Sequence, residues 1–248
     1  MPKPDFSDAR LKLARAREHI ADVESCIGTF LSTDFYKIRF ENDQRERRTK
    51  IVLDSLHKPD KRVNAIIGDA VSNLRSVLDY VAVALVEPIR GGPDGIGFPF
   101  ADDIKGFTGE VTKGSISVCG VVIRDHFISD IQAYKGGTGH AFWALNKLRN
   151  IDKHRFLITT ASLAGIKCSF RNANGIVFTD ASMGIVAGQS GILINAPTGH
   201  IEFTDNPRPV FEVNFAESVD VRESSAVKFL HLAARKMESC LSALDVIV

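Results

Sequence analysis

The 248-residue sequence lacks most of the features that narrow a function quickly. It has no CxxC pair. Its four cysteines, Cys26, Cys119, Cys168 and Cys240, stand far apart. That spacing excludes a zinc ribbon and the dense disulfide framework of a small secreted domain, so reduced and mostly buried thiols are expected. There is no HExxH, no GxSxG, and no Gly-Lys-Ser/Thr in the GGTG run at 136–139. Zincin, hydrolase-elbow and P-loop chemistry therefore have no anchor. No excess of one charge is present: the formal net charge is +1, which makes no global field to draw nucleic acid or an anionic membrane. The longest apolar run, Val81 to Val86, is far too short to span a bilayer. The opening MPKPDFSDARLKLARAR holds no apolar signal core. The expectation is a cytoplasmic protein with no membrane, metal or cofactor partner.

What is present is an ordinary globular composition, 44% hydrophobic and 25% charged, enough for a sizeable core. Leu13, Ala16, Ile20, Val23, Ile27 and Phe30 recur at three- and four-residue steps behind a Ser7 or Asp8 cap, predicting a helix over 8–31. FYKIRFE alternates as a half-buried strand, and the polar turn ENDQRERR returns it as a hairpin near Lys50 to Leu53. The apolar stripe from Val63 to Leu85 predicts a helix over 60–87, ended by Pro88 and the glycine run behind it. Residues 91–135 read as an irregular covering segment with one short helix near 125–133. HAFWALNKLRNI predicts a helix over 140–152. Beyond it, short apolar runs alternate with turn residues to Phe215, and a last helix occupies 220–246. The expected fold is α+β in a single domain over 1–248. It has about four main helices, an antiparallel sheet of six or more strands from the C-terminal half, and an N-terminal hairpin. The first and last helices are heptad-like. Packing against the second helix accounts for them, and a homodimer seam is the alternative.

Two segments carry more polar chemistry than their apolar setting requires. On the second helix, Asp69, Asn73, Ser76 and Tyr80 form one polar line, and Ser72, Arg75 and Asp79 form another. A solvated face would explain them, but beside so broad an apolar stripe several should be enclosed and need partners. The other segment is Arg149, Asn150, Ile151, Asp152, Lys153, His154, Arg155. Cations at a helix C-terminus are favoured by the macrodipole, which accounts for part of this cluster. The functional reading gives Arg149 the fork that holds a phosphate and His154 the proton transfer near neutrality.

Arg149-Asn150-x-x-x-His154 resembles the Arg-polar-x3-His motif of the HEPN superfamily, largely helical proteins that often act as metal-independent ribonucleases. That resemblance implies His154 as acid/base, Arg149 as the phosphate-holding residue and Asn150 in support, with RNA as substrate and a dimer completing the site. GDAVSNLRSVLDY and LNKLRNIDKHRFL, with FPF between them, are similar over a longer stretch to a group of uncharacterised bacterial proteins. These share a GDA-x2-NLRS-x-LD(H/Y) helix and an IDKHR segment. Two functions follow. The first is a non-catalytic binding or assembly module in which Arg75, Asp79, Asn73, Asp69, Tyr80, Asp152 and Arg155 form a polar network between helices. The alternative is a HEPN-like ribonuclease or RNA-directed toxin using Arg149 and His154.

Overall fold

The computed structural model describes residues 3–43, 45, 48–154, 157, 159–172, 174–184, 192–197, 201–205, 208–216, 221 and 225–248. It is α+β, and its contacts divide the chain into two compact units. One, essentially helical, takes residues 1–26, 61–158 and 215–248; the other, carrying the strands, takes 27–60 and 159–214.

The helical unit is organised by α2 (Lys61–Arg90), whose stripe Val63, Ile67, Ala70, Val71, Leu74, Val77, Leu78, Val81 and Leu85 is fully buried. Each Val, Leu or Ile of the stripe contributes roughly 1.5–3 kcal/mol by leaving water. Around it stand α1 (Ser7–Leu31), α5 (His140–Asp152) and α6 (Ala226–Ile247). The heptad faces of α1 and α6 have an answer inside the chain. Arg10 pairs with Asp245, Arg17 with Glu238 at 2.5 Å, and Glu24 with His231 at 2.9 Å. The partners step by seven residues up one helix and down the other, so α1 and α6 run antiparallel in one register. These side chains are about half exposed, so they set alignment more than they add stability.

Four differences from the sequence expectation have clear causes. First, α2 does not end before Pro88 but carries it in its last turn. It stops at Arg90, where Gly91 takes a φ of +82° and donates its N–H to Glu87 O at 2.8 Å. Second, the covering segment is more helical than expected, so the described residues hold six α-helices rather than about four. α3 (Ile104–Lys113) was hidden by Gly106, Gly109 and β-branched residues, yet Asp103 caps it by accepting from Gly106 N at 2.7 Å, and Phe107 and Val111 bury one face. A short 3-10 turn, Ser115–Val118, follows; α4 (Val121–His126) then continues as a π-helical turn, Phe127–Ile131. Third, α6 starts later than 220, at Ala226, because Ser225 provides its cap, accepting from Lys228 N at 3.3 Å.

The fourth difference is the sheet. In place of one C-terminal sheet of six or more strands, the described residues form two small antiparallel sheets. The hairpin forms as expected from β1 (Tyr36–Asp43) and β2 (Arg48–Leu56). The C-terminal half supplies β3 (Thr159–Asn172), β4 (Val177–Gly184), β5 (Ile192–Pro197), β6 (Ile201–Phe203) and β7 (Arg208–Phe215). β5 leaves its sequence neighbours and pairs with β2, giving the order β1-β2-β5. The other sheet centres on β3, which pairs β4, β6 and β7. The residues from Thr159 to Asn172 form one long strand, β3. An aromatic cluster ties the unit together: Phe35 meets Phe30 and Phe211 at 4.7 Å each, and Tyr36 meets Phe211 at 4.9 Å.

All four cysteines are free thiols, three of them buried. Among the described residues, no helix is long and apolar enough to cross a membrane.

Candidate functional site

The two polar lines of α2 face different neighbours. On the first, Asn73 Nδ2 donates to Asp69 O at 2.9 Å, and Asn73 Oδ1 accepts from Lys12 Nζ of α1 at 3.4 Å. Ser76 Oγ donates back to Ser72 O at 2.9 Å, the local bond a helical serine makes when nothing else competes. Tyr80 is 37% exposed and borders a shallow depression with Asp8, Leu11, Lys12 and Arg15. This line, with Asp69 exposed, is largely a solvated face along α1.

The second line converges on Arg75, whose side chain is only 13% exposed. Its Nε donates to Asn146 Oδ1 of α5 at 2.9 Å. Its Nη1 lies 2.6 Å from Asp79 Oδ1, out of line for a directed hydrogen bond, so that contact is an ion pair. Its guanidinium carbon sits 4.4 Å from the centroid of the Phe100 ring. A planar cation over a ring face, with an in-plane N–H left free to donate to an amide oxygen, is a combination that arginine offers and lysine does not. One side chain thus joins α2, the FPF segment and α5.

The FPF segment is a strap along α5. Phe98 packs on Phe142 at 6.4 Å, edge to face, and on Phe127 at 5.4 Å. Asp102, just beyond, accepts from the Trp143 indole N–H at 2.8 Å and pairs with Lys147 at 2.8 Å. The Lys147 bond first, and then the Trp143 bond, hold the Asp102 carboxyl below the usual carboxylate range. Lys147 and Lys135 also lie over the indole, at 5.5 and 5.9 Å. His140 opens α5 buried against Trp143, its Nδ1 accepting from Gly136 N at 3.0 Å, which places any ring proton on Nε2.

Asp152 is not part of the Arg75 cluster. It lies further along the same seam, opposite Gly68. A Cβ built on Gly68 would meet Asp152 Oδ1 at 2.7 Å and Oδ2 at 2.8 Å. Gly68 is therefore the position at which α2 admits the carboxylate of α5, and the glycine of GDA and the aspartate of IDKHR are one contact. With Arg75 on Asn146 seven residues on, the two helices run antiparallel.

Arg149 is half-buried on α5, Asn150 is exposed, and His154 is exposed in the turn that follows, its N–H donating to Ile151 O at 3.1 Å. Neither Asp79 nor Asp152 seals His154. Among the described residues, none of Arg149, Asn150 and His154 makes a side-chain hydrogen bond or ion pair. Arg155 lies outside the described residues. No described group of three His, Cys, Asp or Glu side chains stands ready to hold a metal.

Sequence reasoning had placed Arg75 and Asp79 together and linked the two segments. It missed Asn146, Phe100 and Gly68, the residues that make the link. Asn146 carried a usable signal, as a polar residue one turn before Asn150 on a helix whose neighbours Leu145 and Leu148 are apolar. Phe100 and Gly68 had none, because their role exists only once three segments meet. No protein-family model, curated protein or solved structure matches this chain.

Proposed function

We propose that this protein is a non-catalytic binding or assembly module whose helical unit is held in one geometry by a polar seam between α2 and α5. The observation that carries this reading is the engagement of Arg75 by Asn146, Asp79 and Phe100 at once. Of the polar side chains that stand out in the sequence, Arg75 and Asp152 are the ones that meet the facing helix. A guanidinium only 13% exposed that meets an amide, a carboxylate and a ring from three segments favours the one packing that supplies them all.

A specific observation keeps the second reading alive. Arg149 and His154 have no side-chain partner among the described residues, and His154 is open to solvent. A phosphodiester approaching the end of α5 would meet an imidazole and a guanidinium that pair with no described side chain. On this reading the resemblance to HEPN ribonucleases supplies the chemistry: His154 moves the proton and Arg149 holds the phosphate.

One experiment separates the two. Wild type and His154→Ala are incubated with structured and single-stranded RNAs in EDTA. The module reading expects intact RNA from both proteins, together with lowered thermal stability in Arg75→Ala and unchanged stability in His154→Ala. Metal-free cleavage by wild type that His154→Ala abolishes would establish the ribonuclease instead.

A further inference from the structure

The loop that joins β3 to β4 carries the one Asn-Gly step in the chain, Asn174-Gly175. We propose that this step is a site of spontaneous modification, at which the Gly175 backbone nitrogen attacks Asn174 Cγ. A bond forms between that nitrogen and Cγ as the bond from Cγ to Nδ2 breaks. The nitrogen's proton leaves with the amide group, so ammonia is released and a cyclic imide remains. Water then opens the ring. Cleavage at Cγ gives aspartate, and cleavage at the main-chain carbonyl gives isoaspartate, which routes the backbone through the side chain. Water is the only other reactant.

The structure favours the attack at this position and also restrains it. Asn174 and Gly175 are both exposed, so water reaches the imide. Among the described residues the Asn174 side chain makes no hydrogen bond, which leaves Cγ free to turn toward the neighbouring nitrogen. Gly175 has no side chain to screen that nitrogen, and even a Cβ built on it would meet nothing within 4 Å. By contrast, Asn64, Asn73, Asn146 and Asn150 lie in α2 and α5, where helix bonds hold the N–H that follows each of them. The restraint is Asn172. Its backbone oxygen accepts from Gly175 N at 2.9 Å, and its own N–H donates to Ile176 O at 2.9 Å. Its Oδ1 accepts from Asn174 N and from Ile176 N, each at 3.0 Å. With Gly175 at a φ of +79°, this is a three-residue hairpin loop closed by a left-handed glycine. The attacking nitrogen is therefore committed to Asn172, and the loop must open before it reaches Asn174 Cγ. Isoaspartate would lengthen the connection between strands that begin pairing at Arg171 and Val177, and aspartate would add a negative charge at the hairpin tip.

The site is independent of the Arg75 seam, and so is its test. The full chain is incubated in mildly alkaline buffer, folded or in urea, and sampled by peptide mass mapping. Isoaspartate is read separately, as methyl transfer from S-adenosylmethionine by an isoaspartyl methyltransferase. The peptide holding Asn174 should convert from amide to acid in the folded protein, and faster in urea. Asn174→Gln should remove both signals. Asn172→Ala loses two exposed hydrogen bonds that close the loop and should convert about fivefold faster than wild type. Asn172→Asp keeps the accepting oxygen and should stay near the wild-type rate, which separates the loop's restraint from a general loss of fold. A folded wild type that stays intact at Asn174 while the chain in urea converts would overturn the proposal. So would another asparagine converting first, or Asn172→Ala converting no faster than Asn172→Asp.

Discussion

Replacing Arg75 by alanine removes three interactions at once, and their sizes follow from the geometry. The bond from a charged Nε to Asn146 Oδ1 at 2.9 Å contributes about 1.5 kcal/mol. The guanidinium over Phe100 at 4.4 Å contributes about 1 kcal/mol in this partly desolvated setting. The ion pair adds about 0.5 kcal/mol at most, because Asp79 is 42% exposed and water screens it. The expected loss is therefore about 2–3 kcal/mol, less than the cost of stranding a fully buried charge, since Asp79 keeps its access to solvent. The assay is urea unfolding followed by tryptophan fluorescence. Trp143 is the one tryptophan in the chain and stands on α5, so it reports on the helical unit. Arg75→Lys retains the charge without the planar fork and should recover less than half of the loss. A double-mutant cycle with Asn146→Ala should give a coupling of about 1 kcal/mol. A loss under about 0.5 kcal/mol, or a coupling of zero, would show that Arg75 is a surface pair and that the seam is not what holds these helices.

Gly68→Ala should destabilise the protein while Asp152 is present, because the new methyl displaces its carboxylate. In an Asp152→Ala background the same change should stabilise by up to about 1 kcal/mol through helix propensity; an equal effect in both backgrounds refutes the contact. Asp102 titrates lower folded than unfolded. Its contribution should be complete above its ordinary value of 3.8 and vanish as pH falls through the lower folded value. The energy is small because Asp102 is 71% exposed, so the readout is an acid change in Trp143 emission that Asp102→Asn removes. Finally, Ellman's reagent should find one readily reacting thiol, Cys26, in the native protein. Cys119, Cys168 and Cys240 are buried, and burial pushes Cys240 up to about 12, so these should react only on unfolding.

The sequence by itself determined the elements whose signal is periodic and long. The α+β class, α1, α2 and α5, the N-terminal hairpin and the buried stripe of α2 all follow from hydrophobic spacing, because one face of each must leave water. The pairing of Arg75 with Asp79 was legible too, since residues four apart on a helix are neighbours by geometry alone. Tertiary structure decided the rest. Whether β5 joins β2 or its own neighbours depends on non-local pairing, which no strand sequence encodes locally. α3 needed the Asp103 cap and a buried Phe107 to outweigh its glycines. The heptads of α1 and α6 were visible, but only the ion pairs from Arg10–Asp245 to Glu24–His231 showed that they answer each other within one chain. Likewise the glycine of GDA, the ring of Phe100 and the amide of Asn146 are unremarkable where they stand in the sequence. They became a seam because a buried guanidinium must find partners, and the fold brings those partners from three separate segments.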